Sequence, residues 1–144
     1  MTLVGEIMTS PAISVEPDDS IGDALRVMHE GGFRSLPVVE AGRLVGIITD
    51  RDVRLATNSP LVLQEKWYGD FMLESIKVKA CMAADPITVT PITKLLDAVR
   101  LIRKHKFGGM PVVSEIDGSL VGMITTTDVL DHVIRTLEAA EASA

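Results

Sequence analysis

The chain has 144 residues and a formal net charge of −6; 47% of its residues are hydrophobic and 3% are aromatic. This length suits one compact domain or two small, closely packed ones with a mainly aliphatic core. The 14 Lys and Arg residues are dispersed, which argues against a nucleic-acid partner. No apolar stretch approaches the roughly 20 residues of a membrane span, and no basic secretory signal opens the chain. We therefore expect a cytoplasmic protein with no membrane partner.

The first part of the chain predicts the order strand, helix, strand, strand, helix. Alternating apolar and polar residues before a proline indicate a short first strand. Apolar residues at spacings of three and four, after Asp and Ser cap candidates and before two glycines, indicate an amphipathic helix. Two apolar segments around Ala41-Gly42 indicate a hairpin, after which helical spacing returns. The predicted segments are a strand at 13–15, a helix from 21 to the glycines at 31–32, strands at 36–39 and 43–49, and a helix after 49.

A predicted connector follows, and it contains three of the five aromatic residues of the chain, Trp67, Tyr68 and Phe71. We interpret them as anchors that hold the connector against the two copies or against a neighbouring subunit. The alternative is a stacking platform for a ligand base.

The second part repeats the pattern of the first. Equivalent residues such as Asp23 and Asp97 lie 74 positions apart, and a two-residue insertion near Glu115-Ile116 raises the later spacing to 76. The predicted segments are a strand at 87–89, a helix from 95 that ends before 108–109, strands at 110–113 and 119–125, and a final helix. We divide the chain into repeat 1 (4–57), connector (58–77), repeat 2 (78–137) and a tail (138–144) that we expect to fray.

The recurring signals have a specific order in both copies. A hydrophobic-Pro-Val-Val strand follows the first helix, and the next strand closes with Gly-hydrophobic-hydrophobic-Thr-x-x-Asp, giving the pairs Thr49 and Asp52, and Thr125 and Asp128. This arrangement resembles the cystathionine beta-synthase (CBS) domain, and the pair resembles a stand-alone Bateman module. The resemblance implies an α+β fold in which two β-α-β-β-α repeats pack through their sheets with pseudo-two-fold symmetry and leave two clefts. In that family the clefts often bind AMP, ADP, ATP or S-adenosylmethionine.

The resemblance also implies which residues bind the nucleotide. Each cleft takes its Thr-x-x-Asp from one repeat and its adenine wall from the other. One cleft combines Thr49 and Asp52 with Ile87, Gly108, Gly109 and Met110; the other combines Thr125 and Asp128 with Ile13, Arg34, Ser35 and Leu36.

Each kind of residue suits one part of the ligand. A carboxylate at a helix start can accept both ribose hydroxyls, and the Thr hydroxyl and free N–H groups can meet a phosphate. Arg34 is the best phosphate candidate and Arg51 the next, whereas the second copy offers Gly108 and Gly109 in place of Arg34. The alternative for both Thr–Asp pairs is helix N-capping without a ligand.

We therefore expect a non-catalytic regulatory module that requires no cofactor or metal, forms a homodimer and signals to an unidentified effector protein. The three histidines lack metal-ligand spacing, and no nucleophile motif is present. The single cysteine, Cys81, is expected to be a small buried hydrophobic residue. The alternatives are a scaffold protein with unoccupied clefts and, with less support, an enzyme that uses the cleft for nucleotide chemistry.

Overall fold

The computed structural model describes residues 1–57, 71 and 73–144. They form two compact units, which we name after the motif acid in each. The Asp52 unit is Ile13–Pro86, and the Asp128 unit consists of Met1–Ala12 together with Ile87–Ala144. The units are not identical to the sequence repeats, because the short segment at the start of each repeat packs with the other repeat. We call these segments, 1–12 and 78–86, the exchanged segments.

The described residues contain both helices and strands, as the α+β prediction requires. In chain order they are α1 (Val4–Ile7), α2 (Ile21–Gly31), β1 (Ser35–Glu40), β2 (Arg43–Thr49), α3 (Asp50–Thr57), α4 (Val78–Cys81), β3 (Ala83–Ala84), α5 (Leu95–His105), β4 (Gly109–Val113), β5 (Leu120–Thr125) and α6 (Thr126–Ala142). None of the described helices is both long enough and apolar enough to cross a bilayer.

The Asp52 unit is an antiparallel sheet of β1, β2 and β3 covered by helices. Ala41 and Gly42 have positive φ angles of 50° and 79°, the backbone that a two-residue hairpin turn requires. Ser20 caps α2 by accepting the Asp23 N–H, and Gly32 ends the helix in the left-handed conformation. The buried aliphatic core consists of Val15, Ile21, Ala24, Met28, Leu36, Val38, Ile48, Val53 and Val78.

The Asp128 unit has the same plan around the hairpin of β4 and β5. Its helix α5 ends at His105, before Gly108-Gly109 as predicted, and its C-cap Lys106 is a non-glycine residue with φ of 58°. Basic residues in the last turn of α5 interact favourably with the helix dipole. The buried core consists of Val4, Val89, Leu95, Ala98, Ile102, Met110, Val112 and Ile124, so α1 supplies a core residue to this unit.

Each exchanged segment lies against the last strand of a hairpin. Ala83 pairs with Ile47 of β2, and Thr9 pairs with Met123 of β5. A glycine lies beside each contact, and there is no space for a larger residue. A β-carbon at Gly46 would lie 2.6 Å from the Met82 sulfur and 2.9 Å from the Ala83 carbonyl oxygen. The equivalent carbon at Gly122 would lie 2.7 Å from the Thr9 carbonyl oxygen. These glycines therefore permit the close approach of the exchanged segments.

Three expectations differ from the structure or lie outside it. The predicted first strands are reduced to single parallel bridges, from Val15 to Val38 and from Val89 to Val112, because each is followed at once by a proline-containing turn. The segment 138–144, which we expected to fray, is helical as far as Ala142 through a run of Ala and Glu, which favour helix. Trp67 and Tyr68 lie outside the described residues, and the Phe71 side chain is 58% exposed.

Candidate functional site

The first Thr-x-x-Asp motif joins β2 to α3 and forms a capping box. The Thr49 hydroxyl accepts the Asp52 N–H at 3.1 Å, and Oδ2 of Asp52 accepts the Thr49 N–H at 2.8 Å. The two side chains satisfy backbone donors that a helix start would otherwise leave unpaired. This reciprocal pair fixes the carboxylate of Asp52 at the first turn of α3.

The second motif joins β5 to α6 with the same geometry. The Thr125 hydroxyl accepts the Asp128 N–H at 3.1 Å, and Oδ2 of Asp128 accepts the Thr125 N–H at 2.9 Å. Oδ1 of Asp128 additionally accepts the Thr9 hydroxyl at 2.8 Å. The capping interaction that we considered as an alternative is therefore present at both motifs. It does not use the whole acceptor capacity of either carboxylate, because each oxygen has two lone pairs.

The start of the hairpin lies beside each motif. The Asp50 N–H donates to the Arg34 carbonyl at 2.9 Å, and the Thr126 N–H donates to the Gly108 carbonyl at 3.0 Å. Ser35 pairs with Thr49 in the sheet. Each motif thus adjoins the hairpin entrance of its own repeat. The pairing of each motif with the entrance of the opposite repeat remains a prediction.

At the entrance of the second hairpin, Gly109 pairs with the motif threonine Thr125, as Ser35 pairs with Thr49 at the first. A β-carbon at Gly109 would lie 3.1 Å from the Ile124 carbonyl oxygen and 3.2 Å from Cγ2 of Thr125. The small residue therefore fits the close approach of backbone and side chain at this entrance.

Exposure divides the predicted wall residues into two groups. Ile13 and Ile87 are 50% and 39% exposed, so their apolar side chains are accessible. Leu36 and Met110 are each 1% exposed and belong to the cores. A ligand could therefore meet these two residues only through their backbone, and their place in the adenine wall remains a prediction.

Two arginines near the first motif are accessible to a phosphate group. The side chains of Arg34 and Arg51 lie on exposed positions of the Asp52 unit. Asp50 is 4.0 Å from the Arg54 guanidinium, which offsets part of its negative charge. The Asp52 unit therefore has cationic groups at two positions where the second copy has neutral residues.

Thr9 was missed by the sequence reasoning. A comparison of the two copies at a spacing of 74 places Thr9 opposite Ala83, and this difference was the available signal. It was overlooked because both residues precede the predicted first strand. The structure shows that the segment packs on the opposite repeat, where the hydroxyl meets Asp128.

Cys81 lies in the Asp52 unit, partly buried against its core. Burial raises the pKa of its thiol above the ordinary value, and the nearby negative charge of Asp52 raises it further. The thiol is therefore a poor nucleophile, in line with the expected structural role.

A separate groove of about 670 Å³ lies at the start of α2. Its charged lining includes Asp18, Asp23, Arg26, Glu74 and Lys77, but no residue of either motif. Asp18 is paired with Lys77 and with a neighbouring lysine, and hydrogen bonds from these lysines lower the pKa of its carboxyl. Within the part of the chain that the structure describes, no three His, Cys, Asp or Glu side chains form a metal cluster.

Comparison with known proteins identifies the same duplicated domain. The family model described as "CBS domain" matches residues 4–58 and 78–135. A CBS domain-containing protein of Dictyostelium discoideum is 36% identical over 137 residues, which cover 94% of both chains. The crystal structure of CBSX2, a CBS-pair protein of Arabidopsis thaliana, in complex with AMP is similar with a TM-score of 0.76. It is 32% identical, and the match covers 94% of this chain and 98% of that one.

One relative is a much larger protein. Inosine-5′-monophosphate dehydrogenase of Korarchaeum cryptofilum is 39% identical over 117 residues, or 81% of this chain. The match covers only 21% of the dehydrogenase. The prediction of a tandem CBS module with an α+β fold is therefore confirmed, and the likeness to the dehydrogenase concerns a small part of that enzyme.

Proposed function

Because the chain belongs to the CBS domain family and contains the domain twice, we propose that it is a non-catalytic regulatory module that binds an adenosine compound. The compounds are AMP, ADP, ATP or S-adenosylmethionine, each acting as a regulatory ligand and not as a cofactor. The observation that carries the proposal is the AMP complex of CBSX2, a protein similar to this one over nearly its whole length.

The proposed ribose ligands are the two motif acids. Asp52 and Asp128 are half-buried at helix starts, and each capping bond leaves lone pairs on the carboxylate. A carboxylate can accept the 2′ and 3′ hydroxyls of a ribose together, and bonds to a charged acceptor are roughly twice as strong as neutral ones. The geometry of the motif therefore serves two purposes, since the bond that caps the helix also fixes the acid.

The phosphate would lie at a helix start. The helix dipoles favour a negative group at the starts of α3 and α6. Thr49 and Thr125 each retain a hydroxyl proton to donate, because both hydroxyls act as acceptors in the capping box. Arg34 and Arg51 are the proposed charged phosphate ligands. Arg34 would serve the site of Asp128 and Arg51 the site of Asp52, so the cation lies on a different element at each site and we expect unequal phosphate affinity.

The adenine wall is proposed to come from the opposite repeat. Ile87 would complete the site of Asp52, with the backbone at Gly108-Gly109 and Met110; Ile13 would complete the site of Asp128, with the backbone at Ser35 and Leu36. The exposure of both isoleucines supports this assignment, because an apolar side chain open to water gains by covering a base.

Signalling would follow from differential affinity. A nucleotide that binds one arrangement of the module more tightly shifts the population toward that arrangement, and an effector protein senses the change. The helix α6 supports the proposed homodimer, since none of its residues is buried. An exposed apolar stripe runs along it at Leu130, Val133, Ile134 and Leu137. Such a stripe is typical of a helix that packs on another surface.

A scaffold protein is the second candidate. The capping boxes favour it, because they account for the polar groups of both motifs without a ligand. In a scaffold the stripe on α6 would still form an interface, but the motif acids would have a purely structural role.

Calorimetric titration with AMP, ADP, ATP and S-adenosylmethionine distinguishes the two functions. We expect binding of at least one compound, and Asp52→Asn and Asp128→Asn should each weaken one site by about 10- to 100-fold. Asparagine retains an oxygen that can accept the capping N–H, so the helix start is preserved. Asp131→Asn, which removes an equal charge three residues after Asp128, is the matched control and should bind normally.

No heat and no thermal shift with any of the four compounds at millimolar concentration would favour the scaffold. Sedimentation of an Ile134→Asp variant tests the dimer separately. We expect a charge in the exposed stripe to give a monomer, whereas an unchanged sedimentation coefficient would remove α6 from the interface.

A further inference from the structure

The two motif acids differ in the number of hydrogen bonds that hold them. Oδ2 of Asp128 accepts the Thr125 N–H at 2.9 Å, and its Oδ1 accepts the Thr9 hydroxyl at 2.8 Å. Both oxygens of this carboxylate are therefore held, one by its own helix start and one by the exchanged segment. A carboxylate fixed at both oxygens has lost its freedom to rotate about the bond to its β-carbon.

Asp52 has only the first of these restraints. Its Oδ2 accepts the Thr49 N–H at 2.8 Å. The residue equivalent to Thr9 is Ala83, which has no hydroxyl. In the ranges 1–57 and 73–144, no side-chain donor reaches Oδ1 of Asp52.

The backbone does not explain the difference. Thr9 forms both backbone hydrogen bonds with Met123, at 2.8 and 2.9 Å, two residues before Thr125. Ala83 pairs in the same antiparallel manner with Ile47, two residues before Thr49. The exchanged segments therefore meet equivalent strand positions, and the side chain at 9 or 83 is what distinguishes the two motifs.

We propose that Thr9 is a positioning residue that orients Asp128 for a ribose, and that the acid of the other motif lacks this help. The inference rests on the proposed function. Fixing the carboxylate before the ligand arrives removes an entropic cost that binding would otherwise incur. Thr9 also precedes Ile13 by four residues in the chain, so its bond ties the ribose acid to the segment that leads into the proposed adenine wall.

AMP titrations of variants test this inference one site at a time. The Asp52→Asn background leaves the site of Asp128 for measurement. There, Thr9→Val removes the hydroxyl with little change in shape, and we expect the dissociation constant for AMP to rise about 3- to 10-fold. Thr9→Ser keeps the hydroxyl and should bind within about twofold of the parent.

The reciprocal substitution separates positioning from a general effect on folding. In the Asp128→Asn background, Ala83→Thr supplies the missing hydroxyl and should tighten AMP binding at the site of Asp52. Ala83→Val is the matched control, because valine has the shape of threonine without its donor, and it should give no tightening. Position 83 is exposed, so either side chain has room.

The outcomes are distinguishable from those of the proposed function. If AMP binds, and depends on Asp128, but Thr9→Val leaves the affinity unchanged or increases it, the positioning role is wrong and the proposed function stands. Failure of Ala83→Thr to tighten binding relative to Ala83→Val contradicts the role even if Thr9→Val does not fold. If none of AMP, ADP, ATP and S-adenosylmethionine binds to these proteins, the proposed function and the inference fail together.

Discussion

The exchanged segment of the Asp128 unit presents Thr9 to the motif acid, whereas that of the Asp52 unit presents Ala83. The strand pairing and the capping box are the same in both units. What differs is the set of side chains around this shared backbone. The Asp52 unit has Arg34 at its hairpin entrance, and the Asp128 unit has Gly108. A duplicated fold can therefore keep its geometry while its two halves acquire different chemistry.

The charged side chains differ between the units in a second way. In the ranges 1–57 and 73–144, all the ion pairs lie in the Asp52 unit. In the Asp128 unit, Asp117 instead accepts two hydrogen bonds from Ser119 in the hairpin turn. The carboxylate of Asp18 is thus stabilised by cations, and that of Asp117 by neutral donors.

The largest expected effect comes from truncating the two cores at equivalent positions. Ile48 and Ile124 are both fully buried, and replacement by alanine removes apolar contacts and leaves a cavity. Ile48→Ala and Ile124→Ala should each lower the free energy of unfolding by about 2–5 kcal/mol in urea denaturation. Ile116→Ala, at a residue that is 90% exposed, is the control and should cost less than about 0.5 kcal/mol. A loss below about 1 kcal/mol at either buried site would contradict the matched packing of the units.

A smaller effect is expected where each exchanged segment passes a glycine. Gly122→Ala places a carbon against the rigid Thr9 carbonyl oxygen, whereas Gly46→Ala first meets the movable end of Met82. Both should destabilise the protein by about 1–3 kcal/mol, and Gly122→Ala by the larger amount. Gly108→Ala is the control for stability, since no atom lies within 4 Å of the added carbon. If urea denaturation shows that neither substitution changes the free energy of unfolding, the exchanged segments do not approach the strands as described.

The smallest expected effect on stability concerns two surface carboxylates, those of Asp18 and Asp117. The pKa of Asp18 lies below 3.8 because of hydrogen bonds from Lys79 and Lys77, and that of Asp117 lies below 3.8 because of hydrogen bonds from Ser119. A lowered pKa in the folded state means that each group stabilises the protein above pH 3.8, and that the contribution is lost as the pH falls through the folded-state pKa. Both groups are exposed, so each effect is small.

Salt distinguishes the two carboxylates. The destabilisation caused by Asp18→Asn at pH 7 should shrink when salt screens the lysines, whereas that of Asp117→Asn should change less. The measurement is urea denaturation at low and high salt, repeated at pH 7 and below pH 3.8. Equal salt dependence of the two variants would contradict the assignment of a cation-paired and a neutral environment.

Much of the fold could be predicted because the local signals are strong. Ser20 and Gly32 bound α2 as their chemistry requires, and the hairpin turn at Ala41-Gly42 adopts the expected backbone. The capping boxes were likewise foreseen as one use of the motifs. In each case the relevant partners lie within a few residues along the chain.

The remaining features depend on contacts between distant residues. The bond from Thr9 to Asp128 joins positions 119 residues apart, and the sequence contains no signal for the exchange of segments that creates it. Similarly, the resemblance to the CBS domain implied Leu36 for the adenine wall of a cleft, but its side chain packs into the same buried core as Val78, a residue distant in the chain. Local patterns predict where a strand lies more reliably than which neighbour its side chains meet.

A double-mutant cycle tests directly whether the motif acids bind a ribose through its hydroxyls. AMP and 2′,3′-dideoxy-AMP are titrated into the wild-type protein and into Asp52→Asn/Asp128→Asn. We predict that loss of the hydroxyls weakens binding to the wild-type protein by about 10- to 100-fold, and that this ratio falls to nearly one in the double variant. The same ratio in both proteins would show that the hydroxyls and the carboxylates do not interact, and would contradict the account.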